Sequence, residues 1–340
     1  MRVVLSGVDA WRHELAGCLH ACAGALLGFH GIQPLEALGA AWAFHYRPGD
    51  ARPEEYYFPC RPGWSLLRSL APYHPVDSTW HRPAGDAEGW EAVRAAVASG
   101  RPGAVAVDNF HLPFRPAYRD VHSNHLVLVY GFDDERRLAW VLDAVPPRFD
   151  GPIGLQQLAR ARGSPNAPAH ARDMFFAGSE IARRWLDVEV GPPDAAPRLD
   201  RPTVARVLGE NLRGFRAIAA GDAHEGLDGQ DRFLRDAAGR LAGSTVAADE
   251  LFVVAGAVLA STALHADWLA LAARALELPA LAELGRRVER IAHHWCAIRI
   301  MVALARSRQL AVERLDRRFS ALRGDHEAAL VELERCLAEV

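Results

Sequence analysis

The chemistry near the N-terminus centres on one cysteine. In Gly17-Cys18-Leu19-His20-Ala21-Cys22-Ala23-Gly24-Ala25-Leu26-Leu27, Cys18 stands behind a glycine at the start of an apolar run that reads as a helix. A helix N-terminus presents unpaired N–H groups and a partial positive charge to whatever sits there. A thiol in that position has its thiolate stabilised and becomes a better nucleophile at neutral pH. Such a cysteine also needs a base within hydrogen-bond reach and a third group to orient that base. His125 opens an apolar strand and Asp143 closes the next one. If the two strands form an antiparallel hairpin, the start of one lies beside the end of the other, and the pair can serve Cys18. The competing reading makes Cys18 and Cys22, one helical turn apart, two small apolar residues on a buried face, as free cysteine commonly is. His125 would then be a satisfied core or surface histidine.

The elements that must position these residues follow from pattern. Val3 to Trp11 reads as a short strand or an extended lead-in. The helix from Cys18 runs to Phe29 and is closed by Gly31. Pro34 lies early in a second helix, predicted to run to about Tyr46. Residues 47–62, rich in proline and carrying Tyr56, Tyr57 and Phe58, read as loop. Helices are predicted around 64–70 and 88–99. The texture then changes: Gly103–Asp108, His125–Gly131 and Leu138–Asp143 are short β-branched or apolar runs, the last two joined by a charged turn through Asp133 and Asp134. A helix is predicted over 151–162, a loop over 163–171 and an extended piece at Trp185–Val190. Helices first and strands after predict an α+β domain with a helix packed on an antiparallel sheet.

Gly191–Pro202 (GPPDAAPRLDRP) reads as a linker. The long Ala/Leu/Arg/Glu segments beyond it predict an all-helical domain of about five helices. The division expected is therefore 1–190, a linker at 191–202, and 203–340.

Composition narrows the function classes. The 340 residues carry a formal net charge of −3, and all 39 basic residues are arginine. With no basic tract, a nucleic-acid surface has no support. The five cysteines are an odd number scattered over the length, and no pair has CxxC spacing, so neither a disulfide framework nor a zinc site is indicated. His293-His294 does not suggest a metal, because adjacent helical side chains point about 100° apart. The N-terminus lacks the pattern of a signal peptide. The apolar run Leu251–Leu264 is shorter than the ~20 residues that a bilayer demands. A cytoplasmic protein with reduced thiols, no membrane segment, no metal and no diffusible cofactor is expected.

Several segments in one order resemble the N-terminal domain of the butirosin biosynthesis protein H family. They are Cys18 with its apolar helix and Gly31; Val107-Asp108-Asn109-Phe110-His111-Leu112-Pro113-Phe114; and His122-Ser123-Asn124-His125 with the strand and Gly-Phe-Asp-Asp134 that follow. Asp143 at a strand end and the helix Leu155–Arg162 complete the likeness, which spans about residues 10–165. The helical C-terminal half resembles the domain often appended in that family. The resemblance implies a papain-like fold and acyl transfer from a carrier-protein thioester to an amine or hydroxyl of a specialised metabolite. By position, Cys18 would be the nucleophile, His125 the general base and acid, and Asp143 the orienting group. The partners implied are an acyl or peptidyl carrier protein and a small-molecule acceptor, and a homo-oligomer is compatible with the reading.

Where the family usually has His directly before the cysteine, this chain has Gly17, and no Gln or Asn precedes Cys18 as an oxyanion donor. His13 is then a candidate donor. Asp108 could contact an acceptor amine or simply cap a turn, and His122 could face substrate or lie in a solvated turn. Tyr56, Tyr57 and Phe58 could line an acyl pocket or anchor a loop. The same site could also support a thioesterase or a cyclase, and a non-catalytic papain-fold binding protein is the alternative from another class.

Overall fold

The computed structural model describes residues 1–49, 61, 63–170, 172–173, 177–217, 222–241, 245–305 and 312–340. Residues 50–60 and 62, with Tyr56, Tyr57 and Phe58, lie outside the described residues. In chain order the first elements are β1 (Arg2–Val4), α1 (Cys18–Phe29), α2 (Pro34–Gly39), β2 (His45–Tyr46), α3 (Leu66–Leu70), β3 (Val76–His81) and α4 (Asp86–Ala98). Then come β4 (Gly103–Asp108), β5 (Asn124–Asp133), β6 (Leu138–Asp143), β7 (Phe149–Gly154), α5 (Leu155–Arg162) and β8 (Trp185–Val190). The remainder is α6 (Arg201–Arg216), β9 (His224–Glu225), α7 (Gly226–Leu241), α8 (Thr245–Leu276), α9 (Pro279–Ala305) and α10 (Val312–Leu337).

Two compact units divide the chain: Met1–Pro34 with Val76–Pro193, and Leu35–Pro75 with Asp194–Val340. The first is an α+β unit. Its antiparallel sheet has the order β3-β8-β4-β5-β6-β7, with β1 pairing residues 131–133 of β5 beyond the stretch that β4 covers. Val105, Val107, Val127, Val129, Val141 and Ile153 of the strands share one buried cluster with Val93 and Val97 of α4 and Leu158 of α5. Helix α1 packs on β5 and β6. Its residues from Leu19 to Leu27 are all buried, as an apolar run without charge requires. Gly24 permits Trp11 to lie on this helix, for a Cβ there would sit inside the indole ring.

The helical unit centres on Trp42, which is 1% exposed and stacked on the rings of His265 and His326 at 5.2 and 5.0 Å. Phe44 stacks on Trp295, and β2 pairs with β9. These contacts correct the boundary expected from sequence. Residues 35–75 do not stay with the rest of 1–190; the large side chains at 42 and 44 complete the core of the helical unit. The other boundary, between Pro193 and Asp194, falls inside the segment 191–202. Asp200 caps α6 by accepting from the Thr203 N–H at 2.9 Å.

Other elements differ from expectation for visible reasons. Helix α2 stops at Gly39 instead of about Tyr46, because the backbone there is committed elsewhere. The Gly39 carbonyl accepts from His265 Nδ1 at 2.8 Å, and the Ala40 carbonyl from Asn211 Nδ2 at 3.2 Å. Residues 151–154, expected to be helical, form the end of β7. Pro152 is tolerated because β7 is an edge strand. The apolar run at 251–264 lies within the longer α8, which is long and apolar enough to cross a membrane. However, 83% of its most apolar window is buried inside the protein, as in a core helix.

Two outcomes test this packing. Gly131 sits at the bulge of β5, where a Cβ would meet the Val3 carbonyl at 2.9 Å and the Val4 Cα at 3.1 Å. Gly131→Ala should therefore displace β1 and cost about 1–3 kcal/mol in thermal unfolding, while Gly324→Ala, inside α10 with open space around it, should be neutral or stabilising. Equal effects would contradict the close approach. In the helical unit, burial lowers the pKa of His265 to about 4 and that of His326 to about 3, the charge of Arg323 adding to the latter. Between these values and the unfolded ~6.5 the unfolded chain binds more protons, so stability is lost as pH falls below 6.5. Urea unfolding at pH 7 and pH 5 should differ by roughly 2 kcal/mol per histidine. His326→Phe, whose parent ring has no partner on either nitrogen among the described residues, should reduce that difference. An unchanged difference would contradict it.

Candidate active site

Helix α1 begins at Cys18, and its N-cap is Gly17, in extended conformation and without a side-chain cap bond. The Gly17 carbonyl accepts the first intrahelical bond, from the Ala21 N–H at 3.1 Å. Helix geometry leaves the N–H groups of Cys18, Leu19 and His20 without intrahelical acceptors. No Ser, Asp or Asn oxygen from the cap position competes for them. A thiol and a group of outward N–H donors therefore share one helix end. A Cβ at Gly17 would meet nothing within 4 Å, so local space does not demand glycine there.

The histidine and the acid come from the edge of the sheet beside that helix. β5 starts at Asn124 and β6 ends at Asp143, so antiparallel pairing sets His125 and Asp143 near each other. His125 Nε2 is 2.8 Å from Asp143 Oδ2, with the two residues 4% and 2% exposed. With Nε2 committed, Nδ1 is the nitrogen left to face the hydrogen bond that His125 shares with Cys18. Burial pushes the His125 pKa down. The charge and hydrogen bond of Asp143 outweigh it, Cys18 adds to the rise, and the result is a pKa of about 9. The imidazole is therefore charged at neutral pH. Cys22, fully buried, has its pKa raised well above the usual range by desolvation first, and then by Cys18 and Asp143. The environment thus separates two cysteines that the helical pattern left alike.

Arg115 was not apparent in the sequence. Its Nη1 donates to Asp143 Oδ2 at 3.1 Å and to the Val145 carbonyl at 2.9 Å, while Asp143 Oδ1 accepts from the Val145 N–H at 2.9 Å. Asp143 is thus held on both oxygens, and only a limited swing of the carboxylate is open to it. Arg115 lies in the connection between β4 and β5, where no periodicity or spacing marks it.

The remaining sequence candidates fall in two places. His13 lies in the turn before α1, its Nδ1 accepting from the Leu15 N–H at 3.3 Å. That bond puts the ring proton on Nε2, the state in which His13 can donate. Burial first, and then the neighbouring His13, lower the pKa of His20 to about 4. Asp108 and His122 form a second His–acid pair, with His122 Nδ1 2.7 Å from Asp108 Oδ2. Asp108 also caps the short 3-10 turn that follows β4, accepting from the Phe110 N–H at 3.0 Å. His293 and His294 diverge: His294 Nε2 reaches Asp325 at 2.8 Å, and His293 faces Glu289.

The geometry supplies a thiol at a helix N-terminus, a charged imidazole bonded to it, and a fixed carboxylate behind the imidazole. That set can form and break a covalent bond to an electrophilic carbonyl carbon. Among curated proteins, none matches the chain. A family model described as butirosin biosynthesis protein H, N-terminal, matches residues 17–144. The matched stretch begins at Gly17 and ends one residue beyond Asp143, so it encloses Cys18, Asp108, Arg115, His122, His125 and Asp143. The likeness to the butirosin biosynthesis protein H N-terminal family thus covers residues 17–144, somewhat more than a third of the chain.

Proposed function

We propose that this protein is a cysteine-dependent acyltransferase of antibiotic-type biosynthesis, taking its acyl group from a carrier-protein thioester. The observation that carries the reading is the buried His125 imidazole, bonded to Cys18 on one side and to Asp143 on the other. The family name supports the biosynthetic setting.

In the first half-reaction the Cys18 sulfur attacks the thioester carbonyl. A new S–C bond forms, the bond to the phosphopantetheine sulfur breaks, and the His125 proton passes to the departing thiol. The oxyanion formed on the way is met by the N–H groups at the start of α1, with His13 Nε2–H as the candidate second donor. In the second half-reaction an amine or hydroxyl attacks the acyl-Cys18 carbonyl. The S–C bond breaks and His125 takes back a proton. Asp143 holds the imidazole in one tautomer and orientation throughout, as the acid does in other triads. No metal or diffusible cofactor is needed for these steps; the acyl group arrives on a phosphopantetheine that belongs to the partner. Hydrolysis and cyclisation share the first half-reaction and differ only in what resolves the acyl-enzyme.

Intact-mass measurement after mixing with acylated carrier protein tests the reading. The wild-type protein should gain the acyl mass, Cys18→Ala should gain none, and His125→Ala should acylate about 100-fold or more slowly. A wild type that stays at its own mass, or a Cys18→Ala protein that is still acylated, would overturn it. Identification of the released product then separates transfer from hydrolysis and cyclisation.

A further inference from the structure

Helices α4 and α5 share one buried cluster with the sheet, and between them is a cavity of about 480 Å³. That size falls in the range of ~300–1,000 Å³ usual for small-molecule sites. Leu158 and Arg162 on its wall are buried, whereas Asp86, Arg137 and Gln156 are exposed, so it runs from an open rim to a closed floor. The apolar part of the wall is Trp90 from α4 with Leu155, Leu158 and Ala159 from α5. Cys18, His125 and Asp143 take no part in it, and Arg137 stands past the opposite end of β5 from His125.

The wall also holds three arginines against one carboxylate. Arg162 is 4% exposed. Its Nη1 donates to the Gly89 carbonyl at 3.0 Å and its Nη2 to the Arg183 carbonyl at 2.7 Å, so both bonds go to neutral acceptors. Its Nε is shut away from water and has no partner among the described residues. Burial lowers the Arg162 pKa to about 10; Asp86 raises it and Arg183 lowers it, each by less. The one carboxylate, Asp86, is committed to Arg183 Nε. Gly163 leaves room for that pair, since a Cβ there would stand 3.2 Å from Asp86 Oδ1 and 3.3 Å from Arg183 Nη2. The third arginine, Arg137, makes no ion pair among the described residues. Arg137 and Arg183 both hold positive φ, 54° and 56°. That backbone conformation is costly for a non-glycine residue and recurs at ligand clamps. A buried cation that shares a single carboxylate with its neighbours is short of counter-charge, and a second carboxylate beside it would make up the deficit.

We propose that this cavity is a binding site for a monocarboxylate with an apolar body, the carboxylate on the arginine side and the body along Trp90, Leu155 and Leu158. The planar guanidinium fork matches a planar carboxylate. The apolar wall adds a requirement that a bare inorganic anion does not meet. Asp86 is an internal competitor, because its charge opposes that of the guest and it holds Arg183. Binding is non-covalent and does not rest on the acyl-Cys18 reading.

Isothermal titration calorimetry of the full-length protein at pH 7 tests it, with octanoate, octanol and inorganic phosphate as probes. Octanoate should bind at one site. Octanol, which keeps the apolar body and lacks the charge, should bind about 10-fold or more weakly, and phosphate should not bind. Asp86→Asn should tighten octanoate about 3-fold and Arg137→Gln should weaken it about 3-fold. Both positions are exposed, so these two variants decide the matter without disturbing the core. Ala159→Trp, which fills the cavity from its half-buried wall, should abolish octanoate binding in a protein whose circular dichroism is unchanged. A wild type that does not bind octanoate, or that binds octanol or phosphate as tightly, would overturn the proposal. An octanoate affinity that Asp86→Asn and Arg137→Gln leave unmoved would place the guest elsewhere and overturn it too.

Discussion

A buried carboxylate sets the terms for the first unit. Asp143 is almost wholly out of water, where an unpaired charge costs several kcal/mol, so it persists only with partners on both oxygens. Those partners are the His125 ring, the Arg115 guanidinium and the Val145 N–H. The strand pairing brings the His125 ring, the connection between β4 and β5 brings Arg115, and the turn just after Asp143 brings the Val145 N–H. The same pairing makes the imidazole a cation inside the protein, because burial alone would have stripped its proton. Removing one member leaves the other charge uncompensated, which for a buried pair costs roughly 3–5 kcal/mol. The stability of this edge and the charge of its imidazole therefore rest on one contact.

Around that contact the fold repeats a simple plan. Three neighbouring strands, β4, β5 and β6, bring acids to the ends of the outer two and histidines to the start of the middle one or just before it. The valines behind them are buried and rigid, so the polar groups at the edge are held by a packed core. Helix α1 adds its N-terminus and nothing else polar from its cap, which keeps the N–H donors at Cys18 clear of side-chain acceptors. The helical unit solves a different problem. It buries Trp42 with two neutral histidines on it, at the cost of acid sensitivity.

Much of the first unit was legible because its signals are local. The apolar run after Cys18 and the strands that start near His125 and end at Asp143 declare themselves by composition, and hairpin geometry then places the two polar residues together. What was not legible depends on distant segments. Strand β3 pairs with β8, far along the chain, and its sequence Val76-Asp-Ser-Thr-Trp-His81 carries only weak alternation. Residues 35–75 join the helical unit because of where Trp42 and Phe44 are buried, which no pattern within the segment states. Arg115 lies in a connection, where a single arginine has no periodicity to mark it. Asp108 was readable as a turn cap, and it is one.

The proposed chemistry requires His125 to be a buried cation held between Asp143 and Cys18. Histidine NMR titration of the intact protein, with the signal assigned by His125→Gln, measures this directly. The His125 ring should stay protonated through neutral pH and titrate near 9, and Asp143→Asn should bring its pKa down. A His125 ring that is neutral at pH 7, or one whose titration is unmoved by Asp143→Asn, would contradict it.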